Sequence, residues 1–479
     1  MNIVGRLAEK KELQRLYESG RPELLVVYGR RRVGKTYLLK EYFENQFAFF
    51  FTGTVDASNK ENLENFDKAI SGYGSIVTTA SKKWSDAFDK LKELLEKNDG
   101  QPEKAKARTR KIVFIDEMPW LDRRGSDFLT AFDYFWNSWA SSNPEILFIV
   151  CGSATSWVTK KLFKNRGGLH NRVTSRIYLA PLSLAECEEF FRTRNIEITR
   201  YQMIESYMIF GGIPYYLDKF HKGISFSQNV DLLCFAENAP LKDEYEELYG
   251  SLFNSPHRHM MLVEALSKKS AGLTRKEISA ATRLPANGHL TEALNELEQS
   301  GFIERYSDFT RNNNGVYYYL KDPFTLFYLR YMKKNNTKDD YFWTNNREDG
   351  ALVAWRGYAF EMLCRTHLRQ IKQGLGILGV STRTMSWRSR DTTPGAQIDL
   401  IISRKDGVTN LCEMKYTKHP YEISKAEATR LEYKKAAFLA ETKTRDALHI
   451  TLVTTYGLTE TGYRGMVQSE IDMNDLFGR

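Results

Sequence analysis

Short apolar runs alternate with amphipathic stretches along the first 180 residues. Residues 24–28, 47–52, 112–115, 146–151 and 176–180 are dominated by apolar side chains, the pattern of strands buried on both faces. Between them, apolar side chains recur at helical spacing: Leu13, Leu16 and Tyr17, then the stretch 36–45, then Trp84, Phe88, Leu91 and Leu95 on one face. Residues 56–110 read as polar and mostly helical, ending in a charged loop over 100–110. Phe128, Phe132, Phe135, Trp136 and Trp139 form an aromatic stripe that reads as core. Buried strands alternating with amphipathic helices read as an α/β arrangement.

Beyond residue 220 the pattern changes. Residues 221–255 read as a connector broken at Asn238-Ala239-Pro240. A helix is predicted over 257–268, a second opened by the capping box Thr274-Arg275-Lys276-Glu277, and a third over 287–299 closed by Gly301. Strands at 303–306 and 316–320 flank the turn Asn312-Asn313-Asn314-Gly315. That order predicts a winged helix. Its third helix carries Glu292, Glu296 and Glu298 and no Lys or Arg, a poor surface for a phosphate-lined groove. Asp322-Pro323-Phe324 opens a further helix, and the polar run 333–340 predicts a boundary. The last stretch reads as a helix over 355–369, strands at 398–402 and 411–416, a helix over 422–440 and a strand at 450–454. Three domains follow: 1–220, 221–335 and 341–479.

Composition narrows this picture only slightly. With 479 residues, 42% hydrophobic and 27% charged, the chain has ample core for a globular protein. No apolar run reaches the length of a membrane span and no signal-peptide pattern opens the chain, so the expected location is cytoplasmic, with no membrane partner. The cysteines at 151, 187, 234, 364 and 412 are scattered, which predicts buried thiols and no zinc site. The net charge of +9 permits nucleic-acid binding without requiring it.

Chemistry concentrates first at Gly29-Arg30-Arg31-Arg32-Val33-Gly34-Lys35-Thr36, which fits G-x-x-x-x-G-K-[ST] at every fixed position. It lies between a predicted strand and a predicted helix, the context a phosphate-binding loop needs. Gly29 and Gly34 let backbone approach phosphate, Lys35 reaches the β and γ phosphates, and the Thr36 hydroxyl ligates Mg²⁺. Arg30, Arg31 and Arg32 fill the loop's variable positions and face either phosphate or solvent. The strand at 112–115 ends in Asp116-Glu117, a Walker B arrangement. There Asp116 belongs to the Mg²⁺ shell, and Glu117 polarises the attacking water. Ser153, after the strand 146–151, is a candidate sensor of the γ-phosphate, or equally a cap for the next helix. Arg166, Arg172 and Arg176 precede the fifth strand, and one of them is a candidate arginine finger on a neighbouring subunit.

Val4-Gly5-Arg6, the loop 29–36, Phe114-Ile115-Asp116-Glu117-Met118-Pro119-Trp120-Leu121, Cys151-Gly152-Ser153-Ala154 and Gly211-Gly212-Ile213-Pro214 together resemble the archaeal/bacterial AAA-type ATPase family, related to the STAND and origin-recognition ATPases. The resemblance covers residues 1 to about 220. It implies a P-loop domain with five parallel strands, one added between those bearing the phosphate loop and Walker B. It also implies a helical lid over 182–220, with ATP and Mg²⁺ as ligands. Where family members carry Leu-Tyr-Gly-Arg, this chain has Leu169-His170-Asn171-Arg172, which makes Arg172 the favoured finger.

The C-terminal order of elements resembles the PD-(D/E)xK nuclease fold, with Glu361, Asp399, Glu413 and Lys415 at the family's four positions. Upstream of Asp399, Gly395-Ala396-Gln397 lacks the proline-acid form of the motif. Carboxylates suit Mg²⁺ or Mn²⁺, and Lys415, two residues from Glu413 on a strand, shares its face. There it can stabilise charge on a phosphate. Arg383, Arg388 and Arg390 either grip a nucleic-acid backbone or line a solvated strand edge. The sequence thus predicts an ATPase controlling a metal-dependent, nuclease-like DNA-cutting domain, in genome defence or mobile-element biology. The alternative is an ATP-dependent switch whose nuclease-like domain only holds DNA or a protein. DNA and a homo-oligomer are the partners this reading admits.

Overall fold

The computed structural model describes residues 3–75, 77–97, 110–153, 155–163, 171–310, 315–335, 339–346, 349–389, 394–460 and 462–478. Arg166, Arg390, Ala154, Leu169, His170, Asn312, Asn313, Asn314 and nearly all of the charged loop 100–110 lie outside the described residues. The chain divides into two compact units, Met1–Ala180 and Pro181–Arg479.

The first unit is built on strands β1 (Glu23–Tyr28), β2 (Phe49–Thr52), β3 (Lys111–Asp116), β4 (Ile146–Gly152) and β5 (Ser175–Tyr178). All pairings are parallel and the order is β2-β3-β4-β1-β5, so β4 lies between β1 and β3. Their apolar runs are continuous because helices cover the sheet, and β4 is buried at all seven positions. Helices Asn59–Gly72, Trp84–Lys97 and Phe128–Ser138 share one core with Phe49, Val113 and Phe148. Phe88 packs its ring against Phe66, Phe128, Phe132 and Phe135, so the aromatic stripe is core. The helix after the phosphate loop, Lys35–Tyr42, is shorter than its polar-apolar pattern predicts. Glu44 and Asn45 take left-handed backbone angles and turn the chain away from the helix.

The second unit opens with helices Leu184–Thr193 and Arg200–Phe210. Every residue from Met203 to Phe210 is buried, which is why this helix shows no amphipathic pattern. Gly211-Gly212 closes it. A Cβ on Gly212 would stand 2.2 Å from the Leu182 carbonyl oxygen, and φ is +66°, so this close turn admits only glycine. Residues 221–255, read as a connector, contain two packed helices, Phe226–Cys234 and Glu244–Leu252. Their apolar positions were masked in sequence by the polar breaks around them.

Helix Pro256–Ser267, strand β6 (Leu273–Thr274), helices Arg275–Thr282 and Gly288–Gln299, and strands β7 (Ile303–Ser307) and β8 (Val316–Leu320) follow. The three strands form an antiparallel sheet in the order β6-β8-β7. Helix Gly350–Thr366 then leads to a mixed sheet of β9 (Thr382–Arg388), β10 (Gln397–Arg404), β11 (Val408–Lys415), β12 (Ala447–Thr454) and β13 (Ser469–Ile471). β9, β10 and β11 run antiparallel, helix Lys425–Thr442 crosses over, β12 pairs parallel to β11, and β13 pairs parallel to β12. The two sheets touch: the Phe309 N–H donates to the Ser386 carbonyl at 3.0 Å, and the Phe309 ring packs on Phe438. Arg388 is spent on this junction. It donates to the Ala271 and Gly272 carbonyls and lies 3.3 Å from Glu277, so it is not a free grip for nucleic acid. All five cysteines are buried free thiols. No helix among the described residues is long and apolar enough to cross a membrane.

Candidate functional site

The phosphate loop leaves β1 at Gly29. A Cβ there would meet the Leu179 carbonyl oxygen at 2.4 Å, so the backbone can pass only without a side chain. Lys35 begins the following helix and is buried. Its ammonium donates to the carbonyls of Gly29 at 3.1 Å and Arg30 at 3.0 Å, and to Ser153 Oγ at 2.9 Å. Three donors thus fix the charge at the loop's mouth. The Thr36 hydroxyl donates to Asp116 Oδ2 at 2.6 Å, joining the loop to the end of β3.

Glu117 follows β3 at φ +48°, a left-handed conformation that costs a non-glycine residue about 1 kcal/mol or more. The Ser153 hydroxyl donates to Glu117 Oε1 at 2.6 Å, and the Ser153 N–H to Oε2 at 3.3 Å. The Glu117 N–H donates to Asp116 Oδ1 at 3.0 Å. Ser153 therefore joins Lys35 to Glu117 through its hydroxyl. Cys151, between these groups, has its thiol pushed up by burial and by Asp116.

Arg172 is exposed. Asn171 before it adopts φ +66°, so asparagine takes the left-handed turn that glycine would otherwise supply. Arg176 lies over the Phe163 ring at 4.0 Å. Arg31 and Arg32 are half-buried and Arg30 is buried. One contact with the loop was not assigned from sequence. Arg6 is buried, and its guanidinium donates to the Val33 carbonyl at 3.4 Å. Gly5 and Arg6 are both left-handed, and this turn brings Val4-Gly5-Arg6 back onto the loop. The motif itself was the signal.

The C-terminal residues gather at one end of the mixed sheet. Lys415 Nζ lies 3.0 Å from Glu413 Oε1, as alternation on β11 requires, and 3.1 Å from Glu427. Arg430 and Lys434, from helix Lys425–Thr442, each reach Glu413 at 2.7 Å. Burial alone would push Glu413 up; Lys434, Lys415 and Arg430 reverse that and hold it at about 2. Glu361 and Asp399 behave oppositely. Burial and the charges of Asp399 and Glu413 push Glu361 up to about 8, against the pull of Arg365. Asp399 is also raised, by burial first, although Arg365 and a hydrogen bond from Gln397 draw it down.

Both Glu413 oxygens are taken by cationic side chains, and among the described residues no group of three or more His, Cys, Asp or Glu side chains is placed to hold a metal. Among these acids, the charge of Asp399 acts on Glu361 and holds its proton. Glu361 Oε2 is sealed from solvent and has no hydrogen-bond partner among the described residues.

Residues 3–220 match the model of a family described as an ATPase domain predominantly from Archaea. An uncharacterized protein of Methanocaldococcus jannaschii is 28% identical over 335 residues, covering 70% of this chain and 69% of that protein. An uncharacterized ATP-binding protein of the same organism is 44% identical over 44 residues, 9% of this chain and 75% of that protein. Among solved structures, a Walker-type ATPase of Pyrococcus abyssi aligns with a TM-score of 0.47 at 19% identity, over 69% of this chain and 96% of that one. The ORC2 protein of Aeropyrum pernix aligns with a TM-score of 0.41 at 16% identity, over 67% and 90%.

Proposed function

We propose that this chain, whose residues 3–220 match the model of an ATPase domain predominantly from Archaea, hydrolyses ATP at the loop 29–36 and uses the nucleotide state to switch its second unit. The carrying observation is the chain of hydrogen bonds from Lys35 through Ser153 to Glu117. It supports reading Lys35 as the cation for the phosphates and Glu117 as the carboxylate for the attacking water, on either side of one hydroxyl. Lys35 meets the β and γ phosphates, and Ser153 holds Glu117 with both oxygens oriented. Glu117 takes the proton from water as it attacks. Thr36 and Asp116, already bonded to each other, are the residues that would hold Mg²⁺, which supplies charge neutralisation at the phosphates. Arg172, exposed on its turn, is available to a neighbouring copy of the chain. Nucleotide-binding measurements on Lys35→Ala test this site. Affinity should fall by about tenfold or more, and wild-type affinity would remove the assignment.

In the second unit, the order helix, strand, helix, helix, strand, strand over 256–320 supports a winged-helix reading. Glu296 there bonds His259 and Glu298 bonds Arg305, so the third helix uses two of its acids inside the module. The antiparallel meander β9-β10-β11, the crossover helix and the parallel β12 support the PD-(D/E)xK nuclease reading of the C-terminal part. The engagement of Glu413 by Lys415, Arg430 and Lys434 favours the switch over constitutive cleavage, because this carboxylate is not offered to a metal. Cleavage in a different nucleotide state is the second reading, and the paired Glu361 and Asp399 favour it. Incubating full-length protein with DNA and Mn²⁺, with and without ATP, separates the two. Cleavage lost in Asp399→Asn supports the nuclease, and DNA left intact in every nucleotide state supports the switch.

A further inference from the structure

Glu117 keeps a left-handed backbone, and such a residue persists only where its surroundings fix it from several sides. The turn it opens, 117–122, is wedged between the ends of β2 and β4, the strands that flank β3. After β2, the Gly53 N–H donates to the Asp116 carbonyl at 2.9 Å, and a Cβ on Gly53 would stand 2.7 Å from the Glu117 carbonyl oxygen. At the end of β4, a Cβ on Gly152 would come within 2.9 Å of the Pro119 ring. The far end of the turn is held at Asp122. The Trp157 indole N–H donates to Asp122 Oδ2 at 2.8 Å, and Lys161 Nζ lies 3.5 Å from the same oxygen. Asp122 is mostly buried but Lys161 is half exposed, so the bond from Trp157 holds the turn more firmly than the ion pair does. Trp157 lies on helix Thr155–Val158, just after Ser153. The stretch following β4 therefore grips the turn twice: at Glu117 through the Ser153 hydroxyl, and at Asp122 through the Trp157 ring.

We propose that Asp122 is a positioning residue for Glu117: its bond to Trp157 locks the turn 117–122 to the stretch bearing Ser153, so that the carboxylate and the hydroxyl orienting it stay in register. The proposal rests on reading Glu117 as the group that takes the proton from water. Once the far end of the turn is released, the left-handed backbone at Glu117 can relax toward the ordinary right-handed region. That rotation carries the carboxylate away from the attacking water. The phosphate contacts do not follow it. Lys35 and Thr36 stand on the helix after β1, and Asp116 is still paired within β3. Loss of the Asp122 bond therefore acts on the hydrolytic step and spares nucleotide binding.

The test is single-turnover ATP hydrolysis by the full chain, with a parallel ATP-binding titration. Trp157→Phe keeps an aromatic ring against the core and removes the N–H, and Asp122→Ala removes the acceptor. Each should lower turnover by roughly tenfold or more with ATP affinity retained, as misplacing a reacting group does. Asp122→Asn, whose amide oxygen can accept the same N–H, should recover most of that loss. In a Glu117→Gln background the base is already gone, so Asp122→Ala should add nothing further, which a merely structural role would not produce. If Asp122→Ala does not fold, Trp157→Phe decides in its place, alone and in that background. Wild-type turnover in these variants overturns the proposal. So does ATP affinity that falls in step with turnover, no recovery in Asp122→Asn, or an equal further loss on top of Glu117→Gln. None of those results touches the ATPase assignment, which falls if Lys35→Ala binds ATP as the wild type does; full turnover in Glu117→Gln removes the base and the positioning role together.

Discussion

Glu117 is held at both carboxylate oxygens by one residue, Ser153, and that residue also touches Lys35. The two ends of the triad have different duties. Glu117→Gln keeps shape and hydrogen bonding but cannot accept a proton. ATP should still bind, with turnover reduced roughly a hundredfold or more. Ser153→Ala keeps both charges and loses the bridge, so turnover should drop roughly tenfold to a hundredfold with ATP affinity retained. Single-turnover assays with a parallel binding titration check both, and full turnover in Glu117→Gln would assign the water to another group. These residues were legible in sequence because the motifs are local: fixed spacing within eight residues, and an acid pair at a strand end. The cationic surround of Glu413 was not. Arg430 and Lys434 stand 17 and 21 residues downstream, on a helix whose docking over β11 no spacing rule announces.

Whole elements carry the next level of information. Helix Leu184–Thr193 begins with an N–H that its own helix cannot satisfy, and the imidazole of His367 accepts it at 3.2 Å. The other ring nitrogen lies 2.9 Å from the Leu363 carbonyl, so only the Nδ1–H tautomer serves both. Burial pushes this histidine down to about 4, from an ordinary value near 6.5. In the unfolded chain it protonates first as pH falls. The stability it contributes is therefore complete above about pH 6.5 and is lost progressively toward pH 4, amounting to about 3 kcal/mol at the end. Denaturant unfolding of wild type and His367→Gln between pH 7 and pH 4.5 measures this. The variant should show a shallower loss, because its amide can accept the same N–H without titrating; parallel curves would remove His367 from the acid response. Sequence reading placed the helix over 355–369, whereas the structure ends it at Thr366 and starts another at Leu368, with His367 at the junction. Strand β9 was likewise hidden, since its arginines read either as a grip on nucleic acid or as a solvated strand edge while Met385, Ser386 and Trp387 are buried.

At the scale of the molecule, sequence family and packing divide the chain at different places. The family match runs to residue 220, but the first compact unit ends at Ala180. Residues 181–220 therefore lie within the family match by sequence and within the second unit by packing. Helix Arg200–Phe210 is tied to the C-terminal elements along its length. Tyr201 stacks with Tyr416 and Tyr456, Arg200 bonds Asn474, and Glu205 pairs with Arg356 at 3.4 Å with both side chains buried. A buried ion pair of this kind costs about 3–5 kcal/mol to break from one side, so the helix and its partners behave as one body. The prediction concerns hydrogen exchange in the full chain, with and without a non-hydrolysable ATP analogue. If nucleotide alters protection in Arg200–Phe210, helix Gly350–Thr366 should change with it in the same direction, and Arg356→Met should uncouple them. A nucleotide response in the first helix that leaves the second untouched in the wild type would show that the switch stops short of the acidic cluster. The phosphate loop would then act on some other part of the second unit.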